Sequence, residues 1–184
     1  LHLPFEPHFI PALKRSFLEY RKINFLDITE EARVIYRKSF KKAPSRNEVF
    51  SIGKISKWNA ALAYASLKVA AQAASCGMVQ GIVTAPIQKR AIRLIDPKFS
   101  GHTEYLAKTA RVREFAMMFS GDKFCVTLAT IHLPLKKVPG ALKAGEIASK
   151  IRLTHEFLRS RLRIKVPRIG VAALNPHGSE FGSE

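Results

Sequence analysis

The sequence predicts an α/β fold: a largely parallel sheet flanked by helices. Three observations predict it. Apolar runs of four to seven residues alternate with longer stretches of amphipathic, helical spacing. The apolar runs lack strict in-out alternation, as strands covered on both faces do. Polar clusters also fall at or just past the ends of those runs: Thr84-Ala85-Pro86, His132 and Asn175-Pro176-His177. Open α/β sheets bind ligands at those strand ends.

Residues 1–50 are the least readable segment. Pro4, Pro7 and Pro11 exclude an early helix. Residues 28–40 suit either a short helix or a strand, and Ala43-Pro44-Ser45 reads as a turn. From Ser56 the pattern sharpens. Ser56 caps a helix through Trp58, Leu62, Ala65 and Val69 to Cys76, with Gly77 as its natural stop. Gly81-Ile82-Val83-Thr84 reads as a buried strand closed by Ala85-Pro86. A short helix over residues 87–94, a loop over 97–101 and a helix over 103–111 follow. Residues 115–119 and 124–130 read as strands around Ser120-Gly121-Asp122. Ile147, Ile151, Leu158 and Leu162 mark one face of a long helix, and residues 168–174 form a last buried strand. Residues 51–184 therefore form the legible α/β region.

Composition narrows the function classes. Hydrophobic residues make up 47% and charged residues 24%, which gives a globular chain a real core. No apolar run approaches the ~18 residues of a membrane span. The first residues lack the basic-then-apolar pattern of a signal peptide. Cys76 and Cys125 form no CxxC pair and read as reduced, half-buried thiols, so the expected location is cytoplasmic. The chain opens on Leu and its first Met is Met78, so it reads as a processed chain or a fragment.

The net charge of +17 suggests an anionic ligand. It is spread along the whole chain with no block of five or six like charges, which disfavours nucleic acid. Arg159, Arg161, Arg163 and Lys165 lie at the end of the long predicted helix, where cations complement its dipole.

Two constellations carry chemistry. In Gly101-His102-Thr103-Glu104, glycine permits a close backbone approach, Thr103 can cap the following helix, and His102 stands beside a helix N-terminus suited to anions. Lys89, three residues past Pro86, can reach an anion at the mouth of the first strand. His132 and His177 each follow an apolar run and could share one metal ion, or be ordinary loop histidines. No GxGxxG, P-loop, GxSxG, HExxH or paired CxxC is present.

These clusters together resemble one family. Thr84-Ala85-Pro86-Ile87-Gln88-Lys89 resembles its T-[GA]-P-[IV]-x-K strand end. Gly101-His102-Thr103-Glu104 matches its GHTE, His132-Leu133-Pro134-Leu135 its HLPL, and Asn175-Pro176-His177 its NPH. Gly53-Lys54-Ile55-Ser56 leads into a helix as in that family. The chain is similar, over about residues 50–184, to the 4-hydroxythreonine-4-phosphate dehydrogenases of vitamin B6 biosynthesis.

The resemblance implies two α/β domains with the active site in the cleft between them, and a homodimer. It implies NAD and a divalent metal (Zn, Co or Mg) as cofactors. The substrate would be 4-phosphohydroxy-L-threonine, oxidised and then decarboxylated toward pyridoxal 5'-phosphate. His102 and Thr103 would contact substrate, while His132 and His177 would be metal ligands. The family's GDPxGIGPE and YHDQ segments are not among these residues, so the resemblance covers the middle of that fold. Two alternatives stay open. One is a related dehydrogenase of another four-carbon phosphorylated hydroxy acid. The other is a non-catalytic basic fragment that binds anions or a protein partner.

Overall fold

A computed structural model describes residues 7–15, 18, 23–45, 48, 53–175 and 178. The chain divides into two compact units, one ending at Val112 and one beginning at Arg113.

In the first unit, β1 (Pro7–Ile10) pairs in parallel with β2 (Ile23–Leu26), with Phe9 opposite Phe25. The two phenyl rings lie 5.5 Å apart. Helix α1 (Thr29–Phe40) follows at once, which resolves the helix-or-strand ambiguity of that segment. Its period decides the matter: Ala32 and Tyr36, one turn apart, are both fully buried. Glu30 and Glu31 in its first turn and Arg37 and Lys38 in its last match the helix dipole.

Helix α2 (Lys57–Ser75) is the centre of this unit. Ser56 caps it as expected, with its hydroxyl accepting from the Asn59 amide at 3.0 Å. It ends in a Schellman turn. The Gly77 amide donates to the Ala74 carbonyl and the Met78 amide to the Ala73 carbonyl, with Gly77 at φ +66°. Cys76 therefore stands exposed on that turn and not half-buried, because a helix end of this type faces water. Cys125 is half-buried, and both thiols are free.

Two apolar clusters flank α2. On one side Trp58, Ala61 and Ala65 pack on Ala32 and Tyr36 of α1. On the other, Ala60 and Leu67 pack on Ile92 and Phe99. The alanines let both neighbours approach closely, while Asn59, Ser66 and Gln72 leave a third face in water. Short helix α3 (Lys89–Ile92) and helix α4 (His102–Thr109) complete the unit.

Residues 81–86 are a correction. They form no strand, and Val83 is fully exposed. An apolar run shows that a segment favours burial. It becomes a strand only where another backbone completes its hydrogen bonds, and no described strand lies beside this one.

In the second unit, β3 (Met118–Ser120) and β4 (Cys125–Thr127) pair antiparallel. The two strands were expected, but a parallel arrangement is impossible for them. A connection of four residues closes a hairpin, whereas parallel neighbours need a long crossover. The described strands thus form two small sheets, one parallel and one antiparallel, and not a single largely parallel sheet.

After a 3₁₀ turn (Leu135–Lys137) and one turn of helix, α5 (Val138–Ala141), comes the long helix α6 (Ala144–Ser160). Its expected apolar face is real: Leu158 is buried, and Ile147 and Ile151 are half-buried. Polar straps tie it to the hairpin region. Thr154 and Thr127 hydroxyls lie 2.8 Å apart, the Lys150 amine donates to the Phe115 carbonyl at 2.5 Å, and Arg152 pairs with Glu114. Leu162 falls past the helix end and is exposed. Residues 168–174 are a second correction. They form no strand, and with α6 they line an apolar groove of about 780 Å³.

Removing the cap hydroxyl in Ser56→Ala should cost ~1 kcal/mol of stability, read from urea unfolding. Ser56→Asp should restore most of it, and equal stability of all three chains would show that the cap contributes nothing.

Candidate functional site

In the first unit Lys89 lies over Gly101, the residue that leads into His102 and Thr103. The segment from Arg93 to Gly101 sets their positions. Phe99 is buried against α2, and the Arg93 guanidinium donates to the Phe99 carbonyl at 3.0 Å. Asp96 takes the Lys98 amide on one oxygen at 3.1 Å and the Tyr64 hydroxyl of α2 on the other at 3.2 Å. Tyr64, Phe99 and Tyr105 pack ring to ring, with centroids 5.7 to 6.3 Å apart. Burial, with the Asp96 charge beside it, pushes the Tyr64 phenol up to about 12, and burial raises Tyr105. This loop is thereby clamped to the central helix, and it delivers Gly101 to a fixed point.

Gly101 is buried at φ +154° and ψ 179°, a backbone state open essentially to glycine alone. It permits the chain to turn directly into α4. The helix begins at His102, one residue earlier than expected, and no side chain caps it. Thr103 is thus the second helical residue, and the capping role expected of its hydroxyl falls to no side chain. The first-turn amides of α4 lack intrahelical acceptors by construction, so this end favours anions.

Two charged tips lie over Gly101. A methyl group placed there would meet the Glu104 carboxylate at 2.9 Å and the Lys89 amine at 3.3 Å. Lys89 itself is exposed at the start of α3, while His102, Thr103 and Glu104 are half-buried. Around Gly101 the structure therefore gathers the Lys89 ammonium, the Glu104 carboxylate and the N-terminus of α4, whose first two residues are His102 and Thr103. An ammonium beside a helix N-terminus is chemically suited to an anionic group. Lys89, His102 and Thr103 are legible in the sequence as candidates, whereas the clamp by Tyr64, Arg93 and Asp96 is not, because nothing in the sequence links residues so far apart.

The second unit places His132 just after Thr130 and Ile131, exposed, in the left-handed region at φ +55°. Histidine is among the few residues enriched there. Beside this segment Thr130, Ile131 and Leu133 line a cleft of about 510 Å³ together with Lys143 and Lys150. Asn175 is half-buried and accepts from the Gly178 amide at 3.3 Å. Pro176 and His177 lie outside the described residues. Among the described residues, no group of three or more His, Cys, Asp or Glu side chains is placed to hold a metal ion.

Residues 10–184 match the family model described as pyridoxal phosphate biosynthetic protein PdxA. A 4-hydroxythreonine-4-phosphate dehydrogenase of Desulforapulum autotrophicum is 48% identical over 111 residues, covering 59% of this chain and 33% of its own length. Another, of Neisseria meningitidis serogroup A, is 42% identical over 138 residues, covering 73% of this chain and 42% of its own. A solved structure described as a candidate 4-hydroxythreonine-4-phosphate dehydrogenase from Salmonella typhimurium superposes with a TM-score of 0.76 at 28% identity. It covers 97% of this chain and 50% of that one. The chain thus spans 33% to 42% of the length of these two curated relatives.

Gly101→Ala should cost about 1–3 kcal/mol, measured by thermal or urea unfolding, because alanine disfavours that backbone state. The side-chain tips over it can swing away, so a neutral substitution would show that the backbone is not held there.

Tyr36 and Tyr64 should ionise near pH 12, later than free tyrosine, in an absorbance titration of the folded chain. Their folded pKa values are raised, so the neutral phenol favours folding. That contribution is whole below the unfolded value near pH 10 and is lost as pH rises through about 12. Ionisation of all four tyrosines near 10 with the fold intact would contradict the burial.

Proposed function

The chain belongs to the PdxA family of pyridoxal phosphate biosynthetic proteins, and from that premise we propose that it forms part of a 4-hydroxythreonine-4-phosphate dehydrogenase. The reaction is NAD-dependent oxidation of 4-phosphohydroxy-L-threonine followed by loss of CO2. The observation that carries this reading is the corner formed by Lys89, Gly101, His102 and Thr103.

The chain's own residues bind and orient. The α4 N-terminus and the Lys89 ammonium attract the anionic substrate. Thr103 and His102 exchange hydrogen bonds with its polar groups, and the clamped loop holds them in place before substrate arrives. Positioning of this kind lowers the entropic part of the barrier. Bound NAD would supply the hydride acceptor. Loss of hydride from the carbon bearing the 3-hydroxyl, together with loss of the hydroxyl proton to solvent, leaves a β-keto acid, which loses CO2 readily.

His132 and His177 are proposed as two imidazole ligands of a divalent metal such as Zn, Co or Mg. The described residues alone do not fit a metal centre. They supply one exposed imidazole, whereas a catalytic ion typically takes three protein ligands. The remaining ligands, the second domain that closes the active-site cleft and a homodimeric partner would come from polypeptide beyond these residues or from a second copy. No described helix is long and apolar enough to cross a membrane. The two free thiols accord with a cytoplasmic setting.

The polypeptide carrying this segment, purified at its native length, should produce NADH from NAD and 4-phosphohydroxy-L-threonine in the presence of a divalent metal. His102→Ala should raise KM by about tenfold or more, equivalent to ~1.4 kcal/mol of lost binding. Absence of NADH formation would remove the proposed activity. Unchanged KM and kcat in the variant would remove His102 from the site.

A further inference from the structure

A second cleft, separate from the His102 corner, lies between α1 and the start of α2. It measures about 420 Å³, within the range of small-molecule pockets. Trp58 and Leu62 of α2 and Pro44 form its apolar walls, and Arg33 and Arg37 of α1 stand along it. The two arginines are four residues apart, so their guanidiniums leave the same helical face one turn from each other. Like charges so placed repel, and an anion between them relieves that repulsion.

The two are not equivalent. Arg33 pairs with Glu30 and also senses Asp27. The Thr29 hydroxyl on the rim already donates to Asp27 at 2.6 Å, so its proton is spent. The Arg37 guanidinium has no hydrogen-bond or ion-pair partner among the described residues. Lys38, Lys41 and Lys42 continue the positive field at this end of α1. A planar fork of unused donors beside apolar walls suits a phosphate head on a flat apolar body.

We propose that this cleft binds an aromatic phosphate ester, with Arg37 as the principal anchor and Arg33 as the second. Trp58 is the only tryptophan of the chain, so its fluorescence reports on this cleft directly.

The test is a titration of the chain with phenyl phosphate, followed by tryptophan fluorescence and by calorimetry. Inorganic phosphate serves as the head alone and benzyl alcohol as the body alone. A saturable response to phenyl phosphate is expected, with affinity at least about tenfold above either part. Arg37→Gln should weaken it about tenfold or more, and Arg37→Lys by less, because the lysine keeps charge but not the fork. Arg33→Gln should weaken it less than Arg37→Gln does, and Arg113→Gln, in the other unit, should leave it unchanged. Circular dichroism confirms that each variant is folded. No saturable response would overturn the proposal. Equal affinity for phenyl phosphate and inorganic phosphate would overturn the ligand class, and an unchanged affinity in Arg37→Gln would overturn the anchor. None of these readouts involves NADH, so this proposal and the dehydrogenase reading fail independently.

Discussion

Burial of α2 on two sides is the constraint on which the first unit depends. A helix that is apolar on two faces has to find two partners. Here one face takes α1, through Tyr36 against Trp58, and the other takes Ile92 and Phe99. Alanine at positions 60, 61, 65, 71 and 73 makes this possible, since each is buried and none holds a neighbour away. Larger side chains would push one partner off and leave its aromatic group in water. The candidate site and the arginine-lined cleft are therefore both consequences of the same helix, built on different faces of it.

Two carboxylates turn this packing into fixed geometry. Glu48 accepts the hydroxyl of fully buried Tyr36 at 2.8 Å and, on its other oxygen, the amide and hydroxyl of Ser45. Its backbone carbonyl also lies 3.4 Å from the Ser56 hydroxyl that caps α2. These hydrogen bonds to the charged form hold the Glu48 carboxyl below its ordinary range, and burial with the Glu48 bond pushes the Tyr36 phenol up. Asp96 plays the matching part on the other side through Tyr64 and the Lys98 amide. A buried phenol without a partner would cost more than its hydrogen bond returns, so each tyrosine selects one loop arrangement. The arrangement chosen through Asp96 is the one that delivers Gly101 and His102 to Lys89.

The second unit is organised differently. Polar straps tie its long helix to the hairpin at Thr127 and to the segment before it at Glu114 and Phe115, through Thr154, Arg152 and Lys150. The apolar face of that helix meets residues 168–174 across an open groove, where Val171 and Leu174 remain exposed. The periodicity of Ile147, Ile151 and Leu158 was legible because a helix satisfies its own backbone. The strand character of residues 168–174 was not, because a strand's hydrogen bonds belong to a neighbour. The same distinction explains residues 81–86. It also explains why residues 115–130 were read as two strands but not as a hairpin of opposed direction.

By itself the sequence determined the long helices α2 and α6, the bounds of α2 and the chemical groups of the candidate site. Ser56 and Gly77 bound α2, the glycine before His102 marks a tight entry to a helix, and Lys89, His102 and Thr103 are chemically suited to an anion. All of these are local, set by backbone geometry and side-chain type within a few residues. Only the tertiary structure decided which strands form, that α4 starts at His102, and that the side chains of Lys89 and Glu104 both lie over Gly101. It also decided that Arg33 and Arg37 face Trp58. Those outcomes join residues distant along the chain, and their energy lies in shared burial and in hydrogen bonds whose second partner no local pattern names.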